Sequence, residues 1–416
     1  MTSTLLSQRP LDRRGALTLI AAGTALIAVC YGFARFAYGL FLPPIRTEFG
    51  LEASTAGAIA SGSYVAYCAA IIVSTALTPR FGSRVLAVSA GVIAASGTAL
   101  VALAPNPALL AVGVVVAGSS TGVASPPLAH AVAHSLRAAV QGRAQTVINA
   151  GTGLGVAVAG PAALLASGHW RLGWFAFSAI SAAVTVWVLR AVPSAGRPGP
   201  ARTTNRGAST SAERCAETPS HAKDGRGAVS ALLHRPVFPP GSGRIIAASG
   251  LMGIASSAVW TFGRDVLGSV GGMGPTASAI AWILLGAFGI LGALAGDAAR
   301  RIGLRRSWVL GMLLLAAATV LFAPAAGIPG AAGLLCATFG AVYIALTGLL
   351  LVWGTEVYAS SPATGVGLAF LVIAVGQAVG APLTGELIGD FGPHIAFAVI
   401  GGCAAVGVLV GPRRRQ

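Results

Sequence analysis

Arg35 is the residue with the most chemistry to account for. It lies within the apolar run 16–43, ahead of Pro43 and Pro44. An arginine at the centre of a bilayer costs about 2.5–3.5 kcal/mol on insertion scales, so such a residue needs a partner or a wet cavity. Its planar guanidinium can clamp a carboxylate or phosphate through two parallel hydrogen bonds. An internal ion pair, or a stem reaching to the membrane interface, would satisfy it equally. Arg264 stands in a similar setting, Phe262-Gly263-Arg264 against Phe33-Ala34-Arg35, with Asp265 beside it as a potential neutralising partner. Other polar groups interrupt apolar runs at Tyr31, Tyr38, Tyr64, Tyr67, Asn149, Tyr343, Thr347 and Gln377. Each can line a cavity or close a helix–helix hydrogen bond. The substrate-binding candidates are Arg35, Tyr31, Tyr38, Tyr64, Asn149, Arg264, Tyr343 and Gln377.

Other chemistries lack their residues. Glu356 and Glu386 end apolar runs, where a solvated carboxylate is the simpler state, so no proton carrier is assigned. His130 and His134 stand one turn apart without an acid or cysteine nearby, and no metal is expected. No cofactor motif, phosphate-binding loop or zinc-protease motif occurs. The chain is therefore read as a non-enzyme.

The elements that must position these residues are membrane helices. Of 416 residues, 55% are hydrophobic and 9% charged, against roughly 25% charged in a soluble domain. About 20 apolar residues in a helix cross a hydrocarbon core of about 30 Å. Twelve runs qualify: 16–43, 53–77, 84–104, 108–130, 143–166, 172–190, 244–267, 275–297, 306–324, 330–355, 363–388 and 394–411. Their continuity, as in Val85–Leu103, excludes the alternating pattern of a membrane β-barrel. The first run follows basic residues like a signal peptide. Its length, its Arg35 and the lack of a clear small-residue cleavage site make it a retained span.

Twelve crossings place both termini on one side. Of 27 Lys and Arg residues, 23 fall on the side of the termini and only Arg46 and Arg171 on the other, with Arg35 and Arg264 inside spans. The positive-inside rule makes the termini cytoplasmic and the membrane the cytoplasmic one. It also accounts for the net charge of +16 through anionic lipid, without nucleic acid.

Residues 192–243 are rich in Gly, Pro, Ser, Thr and charge, and are expected to form a flexible cytoplasmic linker. The organisation is then a tail over 1–15, six helices over 16–191, the linker, six helices over 244–411, and a basic tail over 412–416. The halves carry matched motifs. Gly151-x-x-x-Gly155 followed by Gly160-Pro161 matches Gly376-x-x-x-Gly380 followed by Ala381-Pro382. Arg80-Phe81-Gly82-Ser83-Arg84 matches Arg301-Ile302-Gly303-Leu304-Arg305. Such ordered matches indicate an internal duplication.

On these motifs the sequence resembles the major facilitator superfamily. Gly292 to Arg306, with Asp297, Arg301, Gly303, Arg305 and Arg306, is similar to that family's loop motif. The copy at Arg80, Gly82 and Arg84 is degraded, with Ala76 where the acid belongs. Gly151 to Pro161 resembles its antiporter motif with one extra residue, and Gly32 to Tyr38 resembles a poorly characterised bacterial branch. The resemblance implies an all-α membrane protein of two pseudo-symmetric six-helix bundles. It implies a secondary transporter that exposes a central site alternately to each side, acting on a small solute as a monomer, with a coupling proton or other gradient. It also implies a cytoplasmic gate in which Asp297 meets a helix N-terminus of the other half. The pair Arg35 and Arg264 resembles organophosphate antiporters, which suggests an anionic substrate, whereas the antiporter-like motif over Gly151 to Pro161 suggests drug or metabolite export. The glycine rows let helix backbones approach closely, either as plain packing or as sliding surfaces between spans 2 and 11, and 5 and 8, and Pro161 and Pro382 are expected to kink their helices. A non-transporting sensor is the alternative outside this class. It would need a folded output domain in residues 192–243.

Overall fold

The computed structural model describes residues 11–166, 169–193, 238–359 and 362–413. Most of the expected linker, the N-terminal tail and the last residues of the C-terminal tail lie outside them. In hydrocarbon every backbone group must be bonded within the protein, and a helix does this locally. Among the described residues all regular structure is helical.

The first bundle contains α1 (Arg13–Phe49), α2 (Ala53–Phe81), α3 (Ser83–Ala102), α4 (Pro107–Ser135), α5 (Ala138–Leu165) and α6 (Trp170–Ala191). The second contains α7 (Ser242–Ser269), α8 (Pro275–Ile302), α9 (Leu304–Val320) and α10 (Pro329–Val357), followed by the helical stretch Pro362–Leu409. An unbroken helix of 48 residues would be about 72 Å long, far more than one crossing requires. Gly392, at φ 80° and ψ 166°, breaks it into α11 (362–391) and α12 (393–409). Among the described residues ten continuous helices are long and apolar enough to cross a membrane, with α11–α12 counted as one of them. With that break, and with the 17-residue α9, the set is consistent with the twelve expected crossings.

The duplication is visible in the backbone. Gly82 and Gly303, in the α2–α3 and α8–α9 loops, share one unusual conformation (φ 82°, ψ 160° and φ 88°, ψ 148°). A side chain there would be strained, and glycine has no such cost. Within the bundles, Gly151 and Gly155 of α5 rest on Thr24 and Ala28 of α1, and Gly376 and Gly380 of α11 rest on Gly250 and Ile254 of α7.

Two expectations change here. The Gly-x-x-x-Gly rows do not form the surfaces between bundles; they seat α5 on α1 and α11 on α7 inside each bundle. Gly292 likewise packs on Ile344 of α10 in its own half. The expected helix pairs do meet across the interface, through other glycines. Gly57 and Gly385 serve α2–α11, while Gly153, Gly160 and Gly286 serve α5–α8. The reason is geometric: residues four apart share one face of a helix, while Gly153, two positions from either Gly151 or Gly155, points about 200° away. The same packing register sets position 24 against 250 and 28 against 254. Arg35 then corresponds to Thr261, and Arg264 to Tyr38. The sequence match between the two arginines is about one turn out of structural register.

Candidate functional site

The middle of α1, Ala28–Phe36, is wound in wide π-helical turns, a form often found at functional sites. It lies where α5 comes closest: a Cβ on Gly32 would strike the backbone of Gly155 and Val156. Arg35 sits near the end of this segment, between the bundles, with 7% of its surface exposed. Nη2 donates to Oε1 of Gln377 on α11 at 2.6 Å. The guanidinium carbon lies 4.5 Å from the ring centre of Tyr67, 4.8 Å from Tyr64, 5.3 Å from Phe36 and 5.7 Å from Tyr31. Each such contact contributes about 0.5–2 kcal/mol. No carboxylate forms an ion pair with Arg35 among the described residues, and Nε is buried without a partner.

Gln377 is fully buried and held from behind. Its Nε2 donates to Ser256 Oγ and to the Tyr343 hydroxyl, both at 3.2 Å, which turns its oxygen toward Arg35. A cavity of about 360 Å³ opens beside the pair. Tyr31, Asn149, Thr152 and Thr347 give it polar walls, and Phe36, Ile344, Phe370 and Ile373 apolar ones. It runs from Arg35 toward the end of the molecule that carries the arginine-rich loops. A second cavity of about 180 Å³ lies on the far side of Arg35, with Tyr38, Ser63 and Tyr64 in its wall. Arg35 and its rings therefore divide two spaces.

The end remote from the arginine-rich loops is closed by contacts between the bundles. Gly39 of α1 sits directly on the carbonyl of Trp260 in α7, and the Phe36 and Trp260 rings stack at 3.9 Å. Arg46 pairs with Asp265 across the interface. Pro44 has no N–H, so the Leu40 carbonyl one turn earlier loses its helical donor; Arg264 Nη1 donates to it from the other bundle. Arg264 also donates to Ser278 Oγ and the Pro275 carbonyl, both at 3.2 Å. The same device recurs at α2–α11. Pro382 frees the Ala378 carbonyl, and Ser61 Oγ donates to it at 2.6 Å.

At the opposite end Asp297 pairs with Arg300 of its own helix, and both are exposed. Among the described residues Asp297 makes no ion pair with the first bundle; its partner lies one turn away on its own helix. Arg80, Arg301, Gly303, Arg305 and Arg306 are exposed, while Arg84 Nε donates to the Val192 carbonyl. His130 and His134 are occupied locally, by Ser83 and by the His130 carbonyl.

Of the candidate residues, Arg35, Tyr31, Asn149, Tyr343 and Gln377 meet at the larger cavity, and Tyr38 and Tyr64 at the smaller one with Arg35. Arg264 does not join them, and Asp265 serves Arg46 rather than Arg264. Trp260 and Trp282 are core residues in edge-on contact, not interface anchors. The sequence reading missed Thr152, Ser256, Phe36 and Phe370. Two had a signal: Thr152 is one turn from Asn149, and Phe370 is two turns from Gln377 on the same helix face. Phe36 had none, since the widened turns that direct it are not legible as a period.

A family model described as Major Facilitator Superfamily matches residues 24–375. No curated protein matches the sequence. Among solved structures, a peptide transporter, POT, in complex with sulfate superposes with a TM-score of 0.73 at 16% identity, over 97% of this chain and 96% of that one. The nucleoside transporter NupG gives 0.69 at 12% identity over 95% and 98%. A bacterial homolog of the human lysosomal transporter Spinster, inward-facing and unoccupied, gives 0.67 at 14% over 96% and 95%. At such identities the likeness is one of fold.

Proposed function

The chain belongs to the major facilitator superfamily of membrane transporters, and from that premise we propose that it carries a small, anionic organic solute across the cytoplasmic membrane by alternating access. One chain holds the whole pathway, and a gradient of protons or of a counter-solute drives it. The termini and arginine-rich loops lie in the cytoplasm, by the positive-inside rule. The conformation described above then faces inward. Asp297 and the loop arginines act as the gate of the opposite state.

The observation that carries this reading is a buried cation at a cavity between two pseudo-symmetric bundles, with cross-bundle arginine clasps at the end remote from the arginine-rich loops. The test needs no substrate. Spin labels on Glu52→Cys with Thr276→Cys report the closed end, and on Phe81→Cys with Ile302→Cys, both exposed, the open end, in a chain whose native cysteines are replaced. Two interconverting distance populations, changing in opposite directions at the two ends, are expected. A single fixed distance at both ends under every pH and lipid condition defeats the proposal.

A further inference from the structure

Resting on the transporter reading, we propose that Arg35 and Gln377 form the binding point for one carboxylate group of an organic monoanion. The Gln377 amide oxygen holds the position that a substrate oxygen takes. Three observations lead there.

The first is the unmatched edge of Arg35. Nε and Nη2 point the same way and suit the two oxygens of a carboxylate. Nη2 is engaged by Gln377, while Nε is buried without an acceptor. A carboxamide has one oxygen and satisfies half of this edge. A carboxylate has two and brings the missing negative charge. Gln377 cannot swing in to complete the match, because its nitrogen is tied to Ser256 and Tyr343.

The second is charge. Among the described residues Arg35 is the only Lys or Arg in the wall of the larger cavity. Arg264 is spent on backbone carbonyls and Ser278 at the closed end. One cation balances one carboxylate. A phosphate monoester, near two negative charges at neutral pH, would leave one buried and unpaired, which is costly.

The third is the remaining wall. Phe36, Ile344, Phe370 and Ile373 line a narrow, largely apolar space beside Arg35. The solute is therefore a small acid with an aromatic or branched aliphatic body. Because Arg35 and Gln377 belong to different bundles, a carboxylate that displaces the amide oxygen also dissolves a hydrogen bond between the halves. Binding and rocking are coupled at one atom.

Calorimetry on the full chain in lipid nanodiscs tests this with benzoate and 3-methylbutanoate as probes, and with benzamide, benzylamine and phenyl phosphate as controls. At least one carboxylate binds saturably, and every control binds at least tenfold more weakly. Arg35→Gln loses carboxylate binding, and Arg35→Lys, which keeps the charge without the two-pronged edge, weakens it about tenfold. Gln377→Glu supplies an internal carboxylate next to Arg35 and abolishes binding. Thermal unfolding without ligand shows which variants are folded. A folded Gln377→Glu variant that still binds the carboxylate overturns the proposal. So does benzamide or benzylamine binding as well as benzoate, or the failure of both carboxylates. The spin-label distances are independent of any probe: two states with no carboxylate binding would remove this inference and leave the transporter, and one rigid state would remove the transporter itself.

Discussion

Arg35 and Arg264 are two arginines in apolar helices, each 7% exposed, and their surroundings differ in kind. Arg264 gives its donors to the Leu40 and Pro275 carbonyls and the Ser278 hydroxyl, with all three nitrogens engaged. Arg35 meets aromatic faces and a single amide oxygen through Nη2, and Nε is buried without an acceptor. Backbone carbonyls cannot leave, so a guanidinium spent on them is a clasp. Rings and a carboxamide place partial charge near the cation without neutralising it, so the second guanidinium can still take an anion. Burial alone does not separate a functional charge from a structural one; what separates them is how many of its donors are already committed.

Alanine at the two positions should separate them most widely. Arg35→Ala should lower transport of a bound carboxylate in proteoliposomes at least 100-fold. Its closed-end Glu52–Thr276 distances should stay unchanged, because the Arg35 side chain takes no part in the contacts at that end. Arg264→Ala should do the reverse, sparing binding and favouring separation of the closed end in the Glu52–Thr276 spin-label distances. Each carbonyl left without a donor costs about 1–3 kcal/mol. Equal losses of transport in both variants, with unchanged distances, would erase the distinction.

A smaller effect sharpens the origin of the clasp. Pro44→Ala returns an N–H to the Leu40 carbonyl, so it should recover about 1 kcal/mol of the Arg264→Ala penalty in a double-mutant cycle. Zero coupling would mean that proline does not create the acceptor. The smallest effect belongs to the parallel site: Ser61→Ala should weaken the α2–α11 contact by about 0.5–1.5 kcal/mol. That would appear as a modest rise in the open population at the same end.

Much of the architecture was legible because lipid imposes a coarse rule. Long apolar runs must be helices, and loop arginines must collect on one side, so spans and repeats could be read from local composition. Span ends were less legible. Pro43 and Pro44 read as the end of the first run, yet α1 continues to Phe49 and its freed Leu40 carbonyl is met from across the interface. The site was half legible. Arg35, Tyr31, Asn149, Tyr343 and Gln377 stood out as polar residues in apolar surroundings, and they converge. Arg264 stood out by the same criterion and belongs elsewhere, since a difference of one turn along a helix carries no mark in composition.

The sequence by itself determined that the chain is a twice-repeated set of membrane helices with a cation buried in its first span. Those properties follow from the hydrophobicity and spacing of near neighbours. Only the tertiary structure decided which arginine keeps a free edge, which glycines face the other bundle, and which proline-freed carbonyls are clasped across it. Each of those depends on the rotation and depth of one helix against another, and contacts between residues hundreds of positions apart set both.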